Sequence, residues 1–414
     1  MTAEQRNERP LDEVCEFRVD TSTRDPLELA LTEFMDEIRT GASPSPEQYA
    51  LRYPELAEQI HELFPLVGNL ERWKTDKEIE CLRRNIPQQF PFDQLGDYQL
   101  VRELGRGGMG VVFEAAHPTF HRAVAVKILP WRFAADMPVW RDRLQTEAAT
   151  IAALQHPNIV QIYSFAEDHG YYYYVMQLVQ GVSLDKLIQQ LKQQRSQRRS
   201  SRKATSTSHS ETAALSPESW KGFARIGEQV ASALACAHER GVLHNDIKPS
   251  NLLRQPNGQI VLTDFGIGLL QGSDSHAEDA QAIGTLKYMA PERLTGSAEI
   301  RSDLYSLGVT LYELITQTSV FSVSKPARLK EAILHQQPVN PRRINPDIPA
   351  PLERIVLKAM SKDPQRRYAS AKALQEDLLR FIDRQPIHAA EQGALQRAIG
   401  WCHAWTKNWR RPSR

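Results

Sequence analysis

The sequence predicts an α+β protein in which an acidic helical segment precedes a strand-rich part and a larger helical part. The first observation is charge, because residues 1–90 carry 19 Asp and Glu against 11 Lys and Arg, with apolar residues at helical spacing. The second is the alternation of apolar residues after FPFDQLGDYQL, which is typical of strands. The third is the mostly helical spacing from Trp220 onward. The length of 414 residues is enough for about two or three domains.

The acidic segment begins with DPLELALTEFMDEIRTG, where apolar residues recur every three or four positions. Leu27, Leu31, Phe34 and Ile38 would therefore share one face of a helix. A second helical stretch, broken at prolines, follows in SPEQYALRYPELAEQIHELFPLVGNLERW. Residues 1–92 are predicted to form an acidic helical accessory module, which serves as a docking element, an autoinhibitory element or plain support of the next domain.

The strand-rich part begins with two strands, VVFEAAH and AVAVKIL, joined by a turn near Pro118. A helical pattern, RDRLQTEAATIAALQ, and another strand-like run, YYYYVMQLV, come next. Residues 189–215 then lack large aliphatic and aromatic residues almost entirely and carry a balance of +5. Such a segment cannot bury enough surface to offset its ordering entropy, so we predict a disordered basic insert, either a tolerated surface insertion or a basic docking arm.

A glycine pattern lies in GRGGMGVVF, where Gly105, Gly107 and Gly110 form G-x-G-x-x-G and Val112 follows. The same spacing occurs in dinucleotide-binding folds, but there the glycines open a helix, whereas strand-like residues follow here. A glycine-rich hairpin brings backbone N–H groups close to phosphates because no Cβ intervenes. Taken alone, the pattern also fits an ordinary hairpin.

Two opposite charges are predicted to meet on apolar surfaces. Lys127 ends the apolar strand VAVK, where burial without a partner is costly. Glu147 shares a helix face with Leu144 and Ile151. We expect Lys127 and Glu147 to pair and to hold a phosphate-binding cation in place, although two unrelated charges are the alternative.

Two polar loops supply candidate chemistry for phosphoryl transfer. In HNDIKPSN, Asp246 can orient the proton of an attacking hydroxyl and Lys248 can neutralise the transferring group. Asn251 offers an oxygen to a hard cation, and Asp264 in LTDFGIG suits Mg²⁺ binding. Either loop alone could be a polar surface loop; the combination in this order indicates a catalytic site.

The chain resembles the eukaryotic-type serine/threonine protein kinases of bacteria over roughly residues 97–381. GTLKYMAPE, with Thr285 and Glu292, resembles the end of the activation loop. SDLYSLGVTLYEL places Asp303 at the structural aspartate of the family. KDPQRRYAS places Arg367 where the family pairs an arginine with Glu292.

This resemblance implies a bilobal fold, with a β-rich small lobe at 97–180 and a helical large lobe at 181–381, and ATP with Mg²⁺ between them. Met176 falls at the gatekeeper position, and the backbone from Gln177 to Val179 would bind adenine. The implied substrates are proteins, with Lys248 and Thr285 indicating serine and threonine rather than tyrosine.

The sequence departs from the family at Asn245, where an arginine usually binds a phosphorylated activation-loop residue. Asparagine is neutral and cannot make that charge-assisted contact. We therefore predict catalysis that does not depend on activation-loop phosphorylation. Two rivals remain: a pseudokinase scaffold, disfavoured because the catalytic residues are all present, and a small-molecule phosphotransferase, disfavoured by GTLKYMAPE and SDLYSLG.

The C-terminal tail, residues 382–414, is basic and places Trp401, Trp405 and Trp409 four residues apart. Such a helix could pack on its own chain, lie on a membrane surface or enter the groove of a protein partner. The scattered cysteines and the polar N-terminus predict a cytoplasmic protein, peripheral at the membrane if the tail binds there. The net charge of +1 gives no indication of nucleic-acid binding.

Overall fold

The computed structural model divides the chain into two compact units, Met1–Trp73 and Lys74–Arg414. The residues that it describes are 25–39, 44–68, 87–107, 110–119, 122–132, 145–146, 148–200, 220–265, 284–295, 298–323 and 325–389.

The first unit is helical, as the apolar spacing predicts. Helix α1 spans Pro26–Arg39, α2 spans Pro46–Arg52, and residues 57–68 form helix α3. The rings of Phe34, Tyr49 and Phe64 contact one another at the centre of this unit, with centroids 4.6 to 5.5 Å apart. The predicted face of α1 is confirmed, because the three aliphatic residues of that face pack against the same core.

A six-stranded antiparallel sheet forms the first half of the second unit, with the order β1-β2-β3-β4-β6-β5. Its strands are β1 Gln94–Leu95, β2 Tyr98–Gly107, β3 Gly110–His117, β4 Arg122–Arg132, β5 Ile162–Asp168 and β6 Tyr171–Gln177. The predicted strands VVFEAAH, AVAVKIL and YYYYVMQ are confirmed. Residues 145–146 and 148–152, within the predicted helix, are helical and are labelled α4.

The two faces of β4 have different partners because side chains alternate along a strand. Val124, Val126 and Ile128 belong to one apolar cluster with two of the β6 tyrosines, Tyr171 and Tyr173. Ala125 lies in a second apolar cluster, and Lys127 pairs with a side chain beyond the sheet. The alternation therefore gives β4 one face in the apolar cluster and one face that carries Lys127.

Residues 87–92 pack on the apolar face of this sheet. The ring of Phe90 contacts those of Phe113 and Tyr171, and Phe92 stacks on His169 with centroids 4.9 Å apart. The sequence assigned these residues to the accessory module, whereas the structure places them with the sheet. The aromatic rings explain the difference, because they find apolar partners on the strands.

The second half of this unit is mainly helical. Its helices are α5 Leu184–Ser200, α6 Trp220–His238, α7 Ile300–Thr316, α8 Pro326–His335, α9 Pro341–Ile344, α10 Ala350–Ala359 and α11 Ala371–Ile382. Helix α7 is buried on nearly all sides and is the centre of this half. A Cβ at Gly227 of α6 would lie 2.9 Å from Leu311 of α7 and 3.2 Å from Leu378 of α11, so glycine permits their close packing.

A small three-stranded sheet lies beside these helices, with β7 Val182–Ser183, β8 Leu252–Arg254 and β9 Ile260–Leu262 in that order. At one end of this sheet, the segment before β8 lies beside the segment after β9. The amide of Val160, two residues before β5, donates to the carbonyl of Leu262 in β9 with a nitrogen–oxygen distance of 2.9 Å.

The predicted disordered insert is wrong for residues 189–200, because α5 continues through Ser200. Leu184, Leu187, Ile188 and Leu191 are buried in the large core and anchor the helix. Gln, Lys and Arg, which fill the following positions, are good helix formers. The lack of apolar residues after Leu191 favoured disorder. A helix that is anchored at its start can nevertheless propagate into such a segment.

Several predictions lie outside the described residues. They concern the rest of the insert at 201–215, Glu147, the activation-loop residues 266–283 and the tryptophan-bearing tail. Within the described ranges, no helix is both long enough and apolar enough to span a membrane.

Candidate active site

Lys127 of β4 forms an ion pair with Asp264, the residue that follows β9 after Thr263. The Nζ–Oδ1 distance is 2.6 Å, and the Lys127 side chain is 10% exposed. Burial raises the pKa of Asp264, but the charge and hydrogen bond of Lys127, with the charge of Lys248, outweigh burial and hold that pKa below its usual range. Asp264 is therefore ionised at neutral pH.

The glycine-rich segment is the hairpin of β2 and β3, with Gly107 paired to Gly110. Gly110 has φ +121°, and a Cβ there would collide with the carbonyl of Ile128. At Gly105 and Gly107 a Cβ would meet no atom within 4 Å. Glycine is thus needed for the backbone at position 110, while the other two leave open space beside the hairpin.

An apolar cluster connects this hairpin to the end of β6. Val112, Met176 and Val179, which the sequence singled out, pack in one cluster with five further residues, Ala125, Val160, Ile162, Leu178 and Val261. The amide of Gln177 donates to the carbonyl of Gln161 at 2.8 Å and is therefore committed within the protein. A flat apolar ring would fit this surface, with the remaining backbone groups of residues 177–179 as hydrogen-bond partners.

Asp303 of α7 anchors the loop that contains His244 and Asp246. Asp303 is 1% exposed and accepts from the amides of His244 at 2.9 Å and Asn245 at 2.8 Å, and it also bonds His238 at 2.8 Å. Burial raises the pKa of Asp303, but His238 and the other donors lower it overall. An ionised carboxylate therefore fixes the backbone next to Asp246.

His244 links this loop to the segment after β9. Burial lowers the pKa of His244, so the ring is neutral. Nδ1 accepts from the amide of Asp246 at 3.2 Å, and Nε2 therefore carries the proton that it donates to the carbonyl of Thr263 at 3.0 Å. In this tautomer, the His244 side chain links the loop that carries Asp246 to Thr263, the residue before Asp264.

Asp246, Lys248 and Asn251 form one contact group. Asp246 Oδ2 lies 2.8 Å from Lys248 Nζ and accepts from Asn251 Nδ2 at 3.0 Å. The amide of Thr263 donates to the carbonyl of Asn251 at 2.9 Å. Since Asp264 follows Thr263, the structure brings the two predicted polar loops together.

The segment GTLKYMAPE is tied to this group and to the large lobe. Lys248 Nζ donates to Thr285 Oγ1 at 3.0 Å. Arg367 donates to both carboxylate oxygens of Glu292 at 2.7 Å, as the resemblance implies, and its side chain is fully buried. Ser302 adds a donor to Glu292 at 2.6 Å.

The predicted site residues thus lie in three connected places. These are the hairpin with Gly105, Gly107, Gly110 and Val112, the apolar cluster with Met176, Gln177 and Val179, and the polar group with Lys127, Asp246, Lys248, Asn251 and Asp264. Glu147 lies outside the described residues, so its pairing with Lys127 stays a prediction.

Sequence reasoning missed Ala125 and His238. Ala125 lies two residues before Lys127 and therefore on the same face of β4, which the strand period alone could have indicated. His238 closes α6, where no motif marks it, and only the fold brings it to Asp303.

The donor set fits a magnesium nucleotide. Asn251 and Asp264 supply oxygen atoms, which Mg²⁺ prefers, and Asp264 is ionised. Lys127 supplies a positive charge near Asp264, and the glycine hairpin has free space at two positions. The residues present therefore match the ATP and Mg²⁺ that the resemblance implies.

The chain matches the protein kinase domain model over residues 98–379, more than half of its length. It is 34% identical over 289 residues to the serine/threonine-protein kinase PrkC of Bacillus subtilis, covering 70% of this chain and 41% of PrkC. It is 35% identical over 280 residues to PknD of Mycobacterium tuberculosis, covering 67% of this chain and 38% of PknD. The chain thus spans about two fifths of the length of these curated relatives.

Among solved structures, the kinase domain of Mycobacterium tuberculosis PknI aligns with a TM-score of 0.49 and 26% identity, over 69% of this chain and 96% of that domain. The family match and the identity to the curated relatives are sufficient to place the protein. The chain belongs to the protein kinase family and, within it, to the bacterial Hanks-type serine/threonine kinases.

Proposed function

We propose that the chain is an active enzyme that transfers the γ-phosphoryl group of ATP to serine or threonine hydroxyls of proteins. The observation that carries this proposal is the contact group of Asp246, Lys248 and Asn251, joined through Thr263 to the Lys127–Asp264 pair. Residues 97–180 and 181–381 serve as the two lobes, and the family match supports ATP and a divalent metal as requirements.

Asp246 is the residue that orients the acceptor hydroxyl and receives its proton. Its carboxylate is held by Asn251 and faces Lys248, whose ammonium also donates to Thr285. Lys248 can therefore neutralise charge on the group in transfer while Thr285 places the peptide-binding segment beside it. The resemblance associates this lysine and threonine with serine and threonine acceptors rather than tyrosine.

Lys127, Asn251 and Asp264 bind the nucleotide and its metal. Bound Mg²⁺ neutralises phosphate charge and thereby lowers the barrier to phosphoryl transfer. Asn251 and Asp264 would hold this ion through oxygen atoms, and Lys127 would contact the phosphates. The apolar cluster of Val112, Met176 and Val179 would cover the adenine ring, with the backbone of Gln177 to Val179 as its polar edge.

Catalysis is proposed to be independent of activation-loop phosphorylation, because Asn245 replaces the usual arginine. The structure offers a different arginine at the same loop: Arg293, which follows Glu292, donates through Nη1 to the carbonyl of Asn245. This contact supports a loop that is held without a phosphate group.

The C-terminal tail, residues 382–414, is proposed to contact a membrane surface or a protein partner, and the protein would be peripheral at the membrane if the tail binds there. Its support is sequence alone, namely the basic charge and the tryptophan spacing. The acidic accessory module is proposed to be a docking element, an autoinhibitory element or a support of the next domain.

A phosphotransfer assay with radiolabelled ATP and a generic protein substrate tests the activity. Asp246→Ala should lower the rate by about a hundredfold or more, since a positioned base contributes that much. Asp347→Ala, the same change at an exposed aspartate, is the control and should keep the parent rate. A parent protein that binds ATP without transferring phosphate would identify a scaffold, and transfer to small molecules alone would identify the other rival.

A further inference from the structure

Arg106 lies between the two glycines of the hairpin that leave open space. Its guanidinium donates from Nη1 to the carbonyl of Pro87 at 2.7 Å and from Nη2 to the carbonyl of Gln88 at 3.2 Å. Nε and Nη2 also donate to the two carboxylate oxygens of Glu103 at 3.2 and 2.7 Å. The side chain is 31% exposed, so these contacts form at a partly covered surface.

The local backbone is shaped for this contact. In a regular strand, residues three apart point to opposite faces, so Glu103 and Arg106 would not meet. The register between β2 and β3 shifts between Glu103 and Gly105, which inserts Leu104 as an extra residue. A bulge of this kind reverses the facing of the residues after it and brings Arg106 to the same side as Glu103.

The segment that Arg106 holds is itself fixed, and we name residues 87–93 the N-terminal strap. Phe90 and Phe92 pack on the apolar face of the sheet. The carbonyl of Asp93 accepts from the amide of Leu100 at 2.8 Å. The strap is therefore anchored by rings in its middle and by β2 at its end, and Arg106 connects its start to the hairpin.

We propose that Arg106 is a positioning residue that fixes the glycine-rich hairpin for nucleotide binding by holding it to the N-terminal strap. The two glycines beside Arg106 have no side chains with which to pack, so a guanidinium that contacts a fixed segment limits their freedom. The inference rests on the proposed function insofar as the hairpin covers the phosphates of ATP.

The test measures the dissociation constant of Mg²⁺-ATP and the hydrogen–deuterium exchange of peptides that cover residues 98–112, in the full chain. Arg106→Ala should raise the dissociation constant about three- to tenfold, the range expected when charge-assisted bonds at a partly exposed site are lost. It should also speed exchange in the nucleotide-free hairpin. Arg106→Lys keeps the charge without the planar fork and should recover part of both effects.

The matched control is Arg102→Ala on the same strand. Arg102 carries the same charge but pairs with Glu114 at 2.6 Å and is not bonded to the strap. It should leave affinity and exchange at parent values. Equal effects of Arg106→Ala and Arg102→Ala, or parent values for both, would overturn the proposal.

A double-mutant cycle tests the strap itself. Phe90→Ala should weaken nucleotide binding in the same direction, and its combination with Arg106→Ala should be less than additive because both act through one segment. Full additivity would contradict the proposal. If Phe90→Ala fails to fold, the Arg106 and Arg102 comparison stands alone.

The measurements separate this inference from the proposed activity. Affinity and exchange need no phosphoryl transfer, so they remain informative even if the parent protein proves to be a scaffold. A parent that phosphorylates protein, together with Arg106→Ala that binds Mg²⁺-ATP like the parent, would refute only the role of Arg106.

Discussion

At the residue scale, Asn245 combines a backbone role with an uncharged side chain. Its φ is +64°, in the left-handed region that asparagine tolerates better than most residues with a Cβ. Its amide donates to Asp303 and its carbonyl accepts from Arg293. The main chain at this position therefore fixes the turn that presents Asp246, and the side chain carries no charge that a phosphate could bind.

The first residue-scale prediction concerns activation. The double replacement of Ser273 and Ser275 by Ala should leave the phosphotransfer rate within about twofold of the parent. Position 245 carries no arginine that could bind a phosphate on either serine. Arg293→Ala should lower the rate by about tenfold, through loss of the bond to Asn245. The rate is measured with one protein substrate at saturating ATP.

Arg328→Ala, at an exposed arginine of α8, is the control for Arg293→Ala and should behave as the parent. A collapse of the rate in the serine double variant would refute independence from phosphorylation. Normal activity of Arg293→Ala would remove the proposed substitute contact.

At the element scale, local patterns predicted the strands and the helices of the first unit well. The period of the apolar residues identifies the buried face of α1, and strand-like apolar runs identify β3, β4 and β6, because each of these elements buries apolar side chains in a core. The spacing of apolar residues did not predict the end of α5, because the last turns of this helix lack apolar residues. These turns are helical because the start of α5 is anchored in the core, and the residues of the turns themselves do not reveal that anchor.

Stability should depend on that anchor. Leu191→Ala should lower the free energy of unfolding by about 2–5 kcal/mol, because it removes a buried side chain from the large core. Gln190→Ala, one residue earlier and exposed, should change it by less than about 0.5 kcal/mol. Urea unfolding followed by circular dichroism gives both values, and similar losses in the two variants would show that α5 is not anchored there.

The candidate site shows a similar division. Motif letters predict which residues carry chemistry, and the resemblance implies their roles, yet neither gives the contacts that orient them. The tautomer of His244, the bond of His238 to Asp303 and the inclusion of Ala125 in the apolar cluster arise from segments far apart in sequence. Such contacts depend on tertiary packing and cannot be deduced from spacing.

At the scale of the whole molecule, Glu292 and Arg367 join the segment GTLKYMAPE to the end of the large lobe. The pKa of Glu292 is raised by burial but held below its usual value by the bonds of Arg367 and Ser302. A carboxyl with a lowered folded pKa stabilises the protein above its unfolded pKa. That contribution is lost as the pH falls below 4.5 and through the folded value.

Arg367→Met should therefore have two effects. At neutral pH it should lower the free energy of unfolding by about 3–5 kcal/mol, because it leaves a buried carboxylate uncompensated. Between neutral pH and acid, the variant should lose less further stability than the parent, because Glu292 no longer titrates at a lowered pKa. Unfolding curves at several pH values measure both.

The neighbouring Arg366→Met is the control, because Arg366 is 68% exposed and pairs with Asp363 at 3.4 Å. It should cost less than about 1 kcal/mol and keep the acid dependence of the parent. An Arg367→Met variant with the parent's acid dependence would contradict the assignment of this titration to Glu292.

The same ion pair bears on how the protein is made. Arg367 is synthesised 75 residues after Glu292, when the catalytic loop has already left the ribosome. Until then the nascent polypeptide holds a carboxylate without its cation, and the segment that carries Glu292 lacks this support. The proposed activity is therefore expected only in chains that have been synthesised past Arg367.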